Sequence, residues 1–231
     1  MTALSSLVST TGLLESPFLA GLTTLERAKI LATASERQVQ ADTVVVQQGD
    51  PSDCLFLIVK GCGRYFYIMP EGKKIVLFWL MPGQIFGGSA LLSKPTEYLV
   101  GTEILKDSRL LIWHRKRIRA LATEIPRLLD NVLSVANEYL TWYLAAHTSL
   151  VSHSAEQRLA RVLVTLAQGF GRKVSGGTRI ELTNEQLANA ANVTPFTASR
   201  ILNAWQRNGA LVKTRGQLLL LSPEQLFAVH S

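Results

Sequence analysis

Between Thr43 and His114 the apolar residues fall in short runs, among them LFLIV, YFYI, KIVLFWL and RLLIW, separated by turn residues at roughly ten-residue spacing. This pattern predicts an all-β region. Pro70-Glu71-Gly72 lies between two aromatic and β-branched runs and predicts a hairpin loop. Gly49, Gly61 and Gly83 stand where strands are expected to reverse. Short strands closed by turns favour a double-sheet, jelly-roll-like β-roll, because that arrangement protects strand edges.

At Pro126 the period changes. Proline suits the first helical position, and no Pro or Gly follows until Gly169, so a long helix is expected. Leu129, Val132, Ala136, Tyr139, Tyr143, Ala146 and Leu150 recur at alternating spacings of three and four, an a/d seam that asks for a second helix. A second row, Leu133, Leu140 and Leu144 with Trp142 beside it, is expected to cover the roll, which leaves the seam to a parallel homodimer. The period breaks at Val151-Ser152-His153. Ser154 and Gln157 then form a capping box that starts a helix through Ala167.

The last third carries a denser set of start and stop signals. Thr183 is a candidate N-cap for a helix over 184–191, and Thr194-Pro195 starts a second one that Asn208-Gly209 ends. Between them, Asn192 tolerates the left-handed conformation that a helix-turn-helix needs. ALVKTRGQLLLL reads as a two-stranded wing turning at Arg215-Gly216. Leu187, Ala190, Val193, Ala198, Ile201, Leu202 and Trp205 would pack the helices together, leaving Pro195, Phe196, Ser199, Arg200 and Asn203 facing outward. Arg200 is the expected base reader, since a guanidinium can donate twice to guanine O6 and N7, worth about 1–3 kcal/mol of discrimination. Ser199 would bond a base edge. Thr183, Thr194, Thr197, Lys213 and Arg215 would hold the DNA backbone and its register.

Composition narrows the classes without naming one. The chain has 231 residues, 47% hydrophobic, with 24 Lys and Arg against 17 Asp and Glu, which suits a folded core and argues against disorder. No uncharged apolar run is long enough to span a membrane, and the N-terminal MTALSSLVSTTGLLESPFLAGL lacks the basic region of a secretory signal, so a cytoplasmic location is expected. Cys54 and Cys62 are too few for a disulfide scaffold or a four-cysteine metal centre and are read as small buried hydrophobes. His114, His147, His153 and His230 form no recognisable ligand pattern, and no metal or cofactor is expected. No P-loop, HExxH or Ser-His-Asp order points to an enzyme. Residues 151–231 hold nine basic and four acidic side chains, which is compatible with a polyanionic partner.

With these pieces in order, the sequence resembles a Crp/Fnr-superfamily transcription regulator over essentially its full length. The resemblance rests on QGDPSDCLFLIVKG at 48–61, PGQIFGGSALL at 82–92, the Pro126 helix, SAEQRLARVL from 154 and LTNEQLANAANVTPFTASRIL at 182–202. It implies an α+β chain with an effector-type, cyclic-nucleotide-binding-like β-roll (1–125), a dimerisation helix and hinge (126–153) and a winged helix-turn-helix (154–231). Such a protein binds palindromic promoter DNA as a homodimer. The segment 169–178, a loop with Arg172-Lys173, lies where activators of the family touch RNA polymerase.

The departures from the family pattern are as informative. Where cyclic-AMP-binding members carry Gly-Glu and then Arg-Ser, this chain has Gly87-Gly88 and Tyr98-Leu99, with Glu97 alongside; Tyr143-Leu144 replaces the Thr-Ser pair that contacts the adenine. Control by cyclic AMP in the usual mode is therefore not expected. The family geometry lines a pocket with Gly87, Gly88, Ser89, Tyr98, Leu99, Trp142 and Tyr143, either for a small uncharged effector or filled by these side chains themselves. On the recognition helix a common Glu is replaced by Phe196, which either meets a thymine methyl or packs on the helix. The rival class is a sensor or protein-interaction module whose helix-turn-helix does not read DNA.

Overall fold

A computed structural model describes residues 16–214 and 216–227, excluding the side chains of Ala146, Ser149, Leu150, Val151 and Phe170. Arg215, His230 and the segment before Ser16 lie outside the described residues. By internal contacts the chain forms two units, one through Trp142 and one from Tyr143.

The first unit opens with helix α1 (Thr24–Ala32), started by a capping box between Thr23 and Glu26. Six antiparallel strands follow: β1 (Ser35–Val39), β2 (Val44–Val46), β3 (Cys54–Ile68), β4 (Lys74–Leu80), β5 (Ile85–Phe86) and β6 (Gly101–His114). The roll thus begins before Thr43, at β1. The long strands β3 and β6 pair with each other and are shared by both halves: β1 and β5 flank one end, β2 and β4 the other. Gly72 takes a positive φ in the expected hairpin between β3 and β4.

Gly61 does not end a strand, contrary to expectation. β3 runs on through it, with φ +95° and register shifts on both sides. A Cβ there would sit 1.9 Å from Ser108 Oγ, so glycine allows β6 to approach and the strand to bend at a bulge where a turn was expected. The same continuity joins YLVGTEI and RLLIWH, whose residues from Gly101 onward form the single strand β6.

Side-chain alternation along β3 divides the core in two. Leu55, Leu57 and Val59 face a helical layer with Trp113, Ile118, Leu121 and Leu128, whereas Phe56 and Ile58 face the roll interior with Leu80, Phe86, Ile104 and Leu110. Helices α2 (Arg115–Glu124) and α3 (Pro126–Ser152) complete the helical layer; α2 had no counterpart in the sequence reading. Trp113 Nε1 donates to Ile30 O at 2.9 Å, and Asn131 Nδ2 donates to Phe18 and Ala20 carbonyls, both at 2.9 Å. The N-terminal turn and α1 are thereby tied to the sheet and to α3.

The two apolar rows of α3 divide differently from expectation. The row packed on the roll is Leu128, Val132, Val135, Tyr139 and Trp142: the first three are buried, Tyr139 donates its hydroxyl to Ile85 O at 2.8 Å, and Trp142 meets Phe78 edge-on at 4.7 Å. Val132 and Tyr139 are therefore spent on the chain's own fold and leave the predicted seam. Leu129, Ala136 and Tyr143 stay exposed, joined by Leu133 (61% exposed), Leu140 (55%) and Leu144. Both rows have the same three-four spacing one residue apart, so period alone could not say which faced inward; a tyrosine hydroxyl needing a buried acceptor could.

The second unit contains the end of α3, then α4 (Ala155–Phe170), α5 (Asn184–Ala190) and α6 (Pro195–Arg207) with a four-stranded sheet in which β7 (Arg172–Val174), β8 (Gly177–Ile180), β10 (Gln217–Leu220) and β9 (Leu211–Thr214) lie in that order. The Ser154–Gln157 capping box is present, and α4 continues past Ala167 to Phe170. The stretch read as a loop at 169–178 is the end of α4 and a hairpin of β7 (Arg172–Val174) and β8 (Gly177–Ile180), turning at Gly176 with φ +84°. The wing is β9 (Leu211–Thr214) and β10 (Gln217–Leu220). No described helix is long and apolar enough to cross a membrane.

Candidate nucleic-acid interface

Local capping fixes both helices of the reading head. Thr183 accepts from Gln186 N–H at 3.1 Å while Gln186 Oε1 accepts from Thr183 N–H at 2.9 Å, a capping box at the start of α5. Thr194 caps α6 by accepting from Thr197 N–H at 3.1 Å, with Pro195 at the first helical position. Between the helices Asn192 has φ +50°, as the turn requires. Leu187, Ala198, Ile201, Leu202 and Trp205 are buried, so the orientation of α6 is set by packing.

That burial turns the remaining residues outward. Pro195, Phe196, Arg200 and Asn203 are exposed, and Ser199 and Thr197 are half-buried. Phe196 is 79% exposed, which rules out packing on its own helix within this chain. The hydroxyls of Thr194 and Thr197 lie 2.9 Å apart and bond each other.

Three further contacts were not legible beforehand. Lys213 Nζ donates to Asn203 Oδ1 at 2.7 Å, and Lys213 N–H donates to Gln206 Oε1 at 3.0 Å, so the wing strand β9 is fastened to α6. With its carbonyl oxygen engaged by Lys213, Asn203 keeps its amide NH2 as a donor. Thr183, Asn184, Lys213, Thr214 and Gly216 line a groove of about 370 Å³ between the start of α5 and the wing, joining two of the predicted phosphate contacts. Finally, Arg158 on α4 donates to carbonyls of His153, Ala191 and Asn192.

The predicted effector pocket does not assemble as a set. Gly87 adopts φ +75°, and a Cβ there would lie 2.5 Å from Cys54 O and 3.2 Å from the Tyr98 ring. Tyr98 is buried in the roll; its hydroxyl accepts from Cys54 N–H at 2.9 Å and donates to Cys54 O at 2.8 Å. Burial pushes its phenol pKa up, which keeps it the neutral group that both bonds need. Ser89 Oγ bonds Ser52 Oγ at 2.7 Å, and Gly88 lies beside Val132. Leu99 is 80% exposed and Tyr143 is exposed against His147, so neither lines the roll interior. Trp142 lies on Phe78. Cys62 is buried as expected, but Cys54 is half-buried with its sulfur 3.4 Å from His114 Nδ1.

A β-roll followed by a long helix and a winged helix-turn-helix is the architecture of a two-domain DNA-binding regulator. Comparison with known proteins agrees. Residues 36–124 match the model of the cyclic nucleotide-binding domain, and residues 157–229 match the Crp-like helix-turn-helix domain. The cyclic AMP receptor protein of Thermus thermophilus is 26% identical over 197 residues, covering 85% of this chain and 88% of that one. The CRP-like cAMP-activated global transcriptional regulator of Mycobacterium tuberculosis is 23% identical over 186 residues, covering 80% and 82%. Among solved structures, the c-di-GMP responsive global regulator CLP of Xanthomonas campestris has a TM-score of 0.75 at 18% identity, covering 86% of this chain and 99% of that one. FixK2 of Bradyrhizobium japonicum has a TM-score of 0.72 at 19% identity, covering 84% and 95%. The chain belongs to the Crp/Fnr family of DNA-binding transcription regulators, and these relatives are regulators, not enzymes.

Proposed function

We propose that the protein is a cytoplasmic transcription regulator that binds a palindromic promoter site as a homodimer and is not controlled by cyclic AMP in the usual mode. The observation that carries the reading is the outward face of α6, where Arg200 and a freely exposed Phe196 stand on a helix whose other face is fixed in the core. Arg200 reads a guanine through two hydrogen bonds, and Phe196 meets a thymine methyl by apolar contact. Lys213, Asn203 and Thr183 hold phosphates around the groove beneath the wing.

Dimerisation uses the exposed row Leu129, Leu133, Ala136, Leu140 and Tyr143, whose three-four spacing suits a parallel pair of helices, with Leu144 beside it. Two copies related by a two-fold axis then read half-sites about one turn of B-DNA apart, about 34–36 Å. Against cyclic AMP stand the buried Tyr98, bonded to the Cys54 backbone, and the absence of a guanidinium at Tyr98-Leu99 to meet a cyclic phosphate. In this reading the roll is filled by its own side chains. An activator would also contact RNA polymerase, for which the β7–β8 hairpin with Arg172 and Lys173 is the candidate surface.

Selection of sites from random duplexes by the full chain tests this function. The expected outcome is an inverted repeat with a guanine in each half, bound with steep salt dependence. Failure to enrich any sequence, or a melting shift on adding cyclic AMP, refutes the corresponding part.

A further inference from the structure

We infer that Arg158 is a positioning residue that ties the orientation of the recognition helix α6 to the link between α3 and α4. The inference rests on the DNA-reading role proposed for α6. Arg158 lies in the first turns of α4, and its guanidinium is divided among three backbone carbonyls. Nη1 donates to His153 O at 2.9 Å, Nε to Ala191 O at 3.1 Å and Nη2 to Asn192 O at 3.3 Å. His153 sits between the last residue of α3 and the N-cap Ser154 of α4. Ala191 is the C-cap of α5, and Asn192 is the left-handed residue of the turn.

The two acceptors beyond α5 have a reason to want a cation. The end of α5 leaves carbonyls without helical partners and carries the negative end of the helix dipole. Asn192 O lies in the turn just beyond it. A planar guanidinium presents donors at fixed angles in several directions, so it can hold the link and the turn at once; an ammonium cannot span the three carbonyls with one point charge. The turn is otherwise fastened by backbone bonds: Ala191 N–H on Leu187 O at 3.0 Å, Asn192 N–H on Asn189 O at 3.2 Å and Val193 N–H on Ala188 O at 3.0 Å.

Asn192 stands two residues before Thr194, the N-cap of α6, so a turn released from Arg158 moves the end of α6 that carries Pro195, Phe196 and Arg200. Hydrogen bonds to base edges fail on small displacements, whereas attraction to phosphates does not. Loss of Arg158 therefore removes selectivity and leaves general DNA affinity in place. The same bridge also makes any movement at the end of α3 felt at the reading helix.

The test uses the full chain with Arg158→Met, which keeps an unbranched apolar stem, and Arg158→Lys, which keeps the charge. Fluorescence anisotropy compares the duplex selected by the parent with a scrambled one. Both variants should bind the scrambled duplex within about twofold of the parent and the selected duplex about tenfold more weakly or worse. In hydrogen exchange, peptides over 190–196 should exchange faster in Arg158→Met while those over 198–205 keep the parent rate. Parent-like affinity for the selected duplex in both variants overturns the inference. So does a rise in exchange spread over the whole unit with both affinities falling together, since that marks a role in folding alone. If the parent selects no sequence, the DNA-reading function is what fails; exchange then decides the positioning role, and unchanged rates over 190–196 refute it.

Discussion

Replacing Leu133 and Leu140 together by Gln should break the dimer without harming the fold. Both are outward on α3, 61% and 55% exposed, so more than half of each side chain is available to a partner. Complete burial of a leucine is worth about 1.5–3 kcal/mol, which leaves about 0.8–1.8 kcal/mol per side chain. A two-fold axis presents each residue twice, so the double variant forfeits about 3–7 kcal/mol of association free energy, at least about a hundredfold in Kd. Gln is a good helix former, so α3 itself should persist. Sedimentation velocity over a range of concentrations measures the change, with Leu128→Ala as the control. Leu128 is fully buried against the roll, and its truncation should cost about 2–5 kcal/mol of stability while the folded protein keeps the parent dimer Kd. A double Gln variant that dimerises like the parent, or a parent that is monomeric at working concentration, refutes the assigned interface.

Other expectations follow from single contacts. Arg200→Ala should weaken binding to the selected site by about 1–3 kcal/mol per half-site and relax the preference at one base pair in each half, with melting temperature unchanged; site selection that returns the parent sequence contradicts it. Tyr98→Phe removes both hydrogen bonds to the Cys54 backbone and should cost about 1–3 kcal/mol in chemical denaturation, so an unchanged midpoint would count against the role given to that hydroxyl. Burial alone would raise the Glu103 carboxyl, but hydrogen bonds from Arg64 at 2.9 Å and Lys74 at 3.1 Å outweigh it and hold the group below its ordinary value of 4.5. Its stabilisation is thus full above that value and is lost as pH falls through and below it. The stability gap between the parent and Glu103→Gln should therefore narrow in acid; a gap that widens there would show the sign to be wrong.

What could be read from the residues alone depended on how local the signal was. Thr183, Asn192, Thr194-Pro195 and Gly209 act within a few residues of themselves, and the reading head they predict is the one found. Gly61 misled because a glycine with positive φ serves a bulge as well as a turn, and the difference lies in Ser108, 47 positions away in sequence. On α3, Val132 and Tyr139 were set outward and Leu133, Leu140 and Leu144 inward, the reverse of what is found, because two apolar stripes of equal period differ only in what lies beneath them. The clasp of Lys213 on Asn203 and the bridge from Arg158 join segments with no shared motif, so no spacing could have announced them. Leu99 was placed in the pocket by the family geometry, but the chain bends there and leaves its side chain 80% exposed.

Two-sided burial of β3 has a consequence for how such a protein can change. From Leu55 to Ile58 successive side chains serve opposite interiors, so no position there can vary without disturbing packing on one side or the other. The outward residues of α6 carry no comparable obligation. On the proposed role of α6, new operators can be acquired by editing Phe196 while the scaffold stands still, which separates the part of the molecule that must persist from the part free to learn another address.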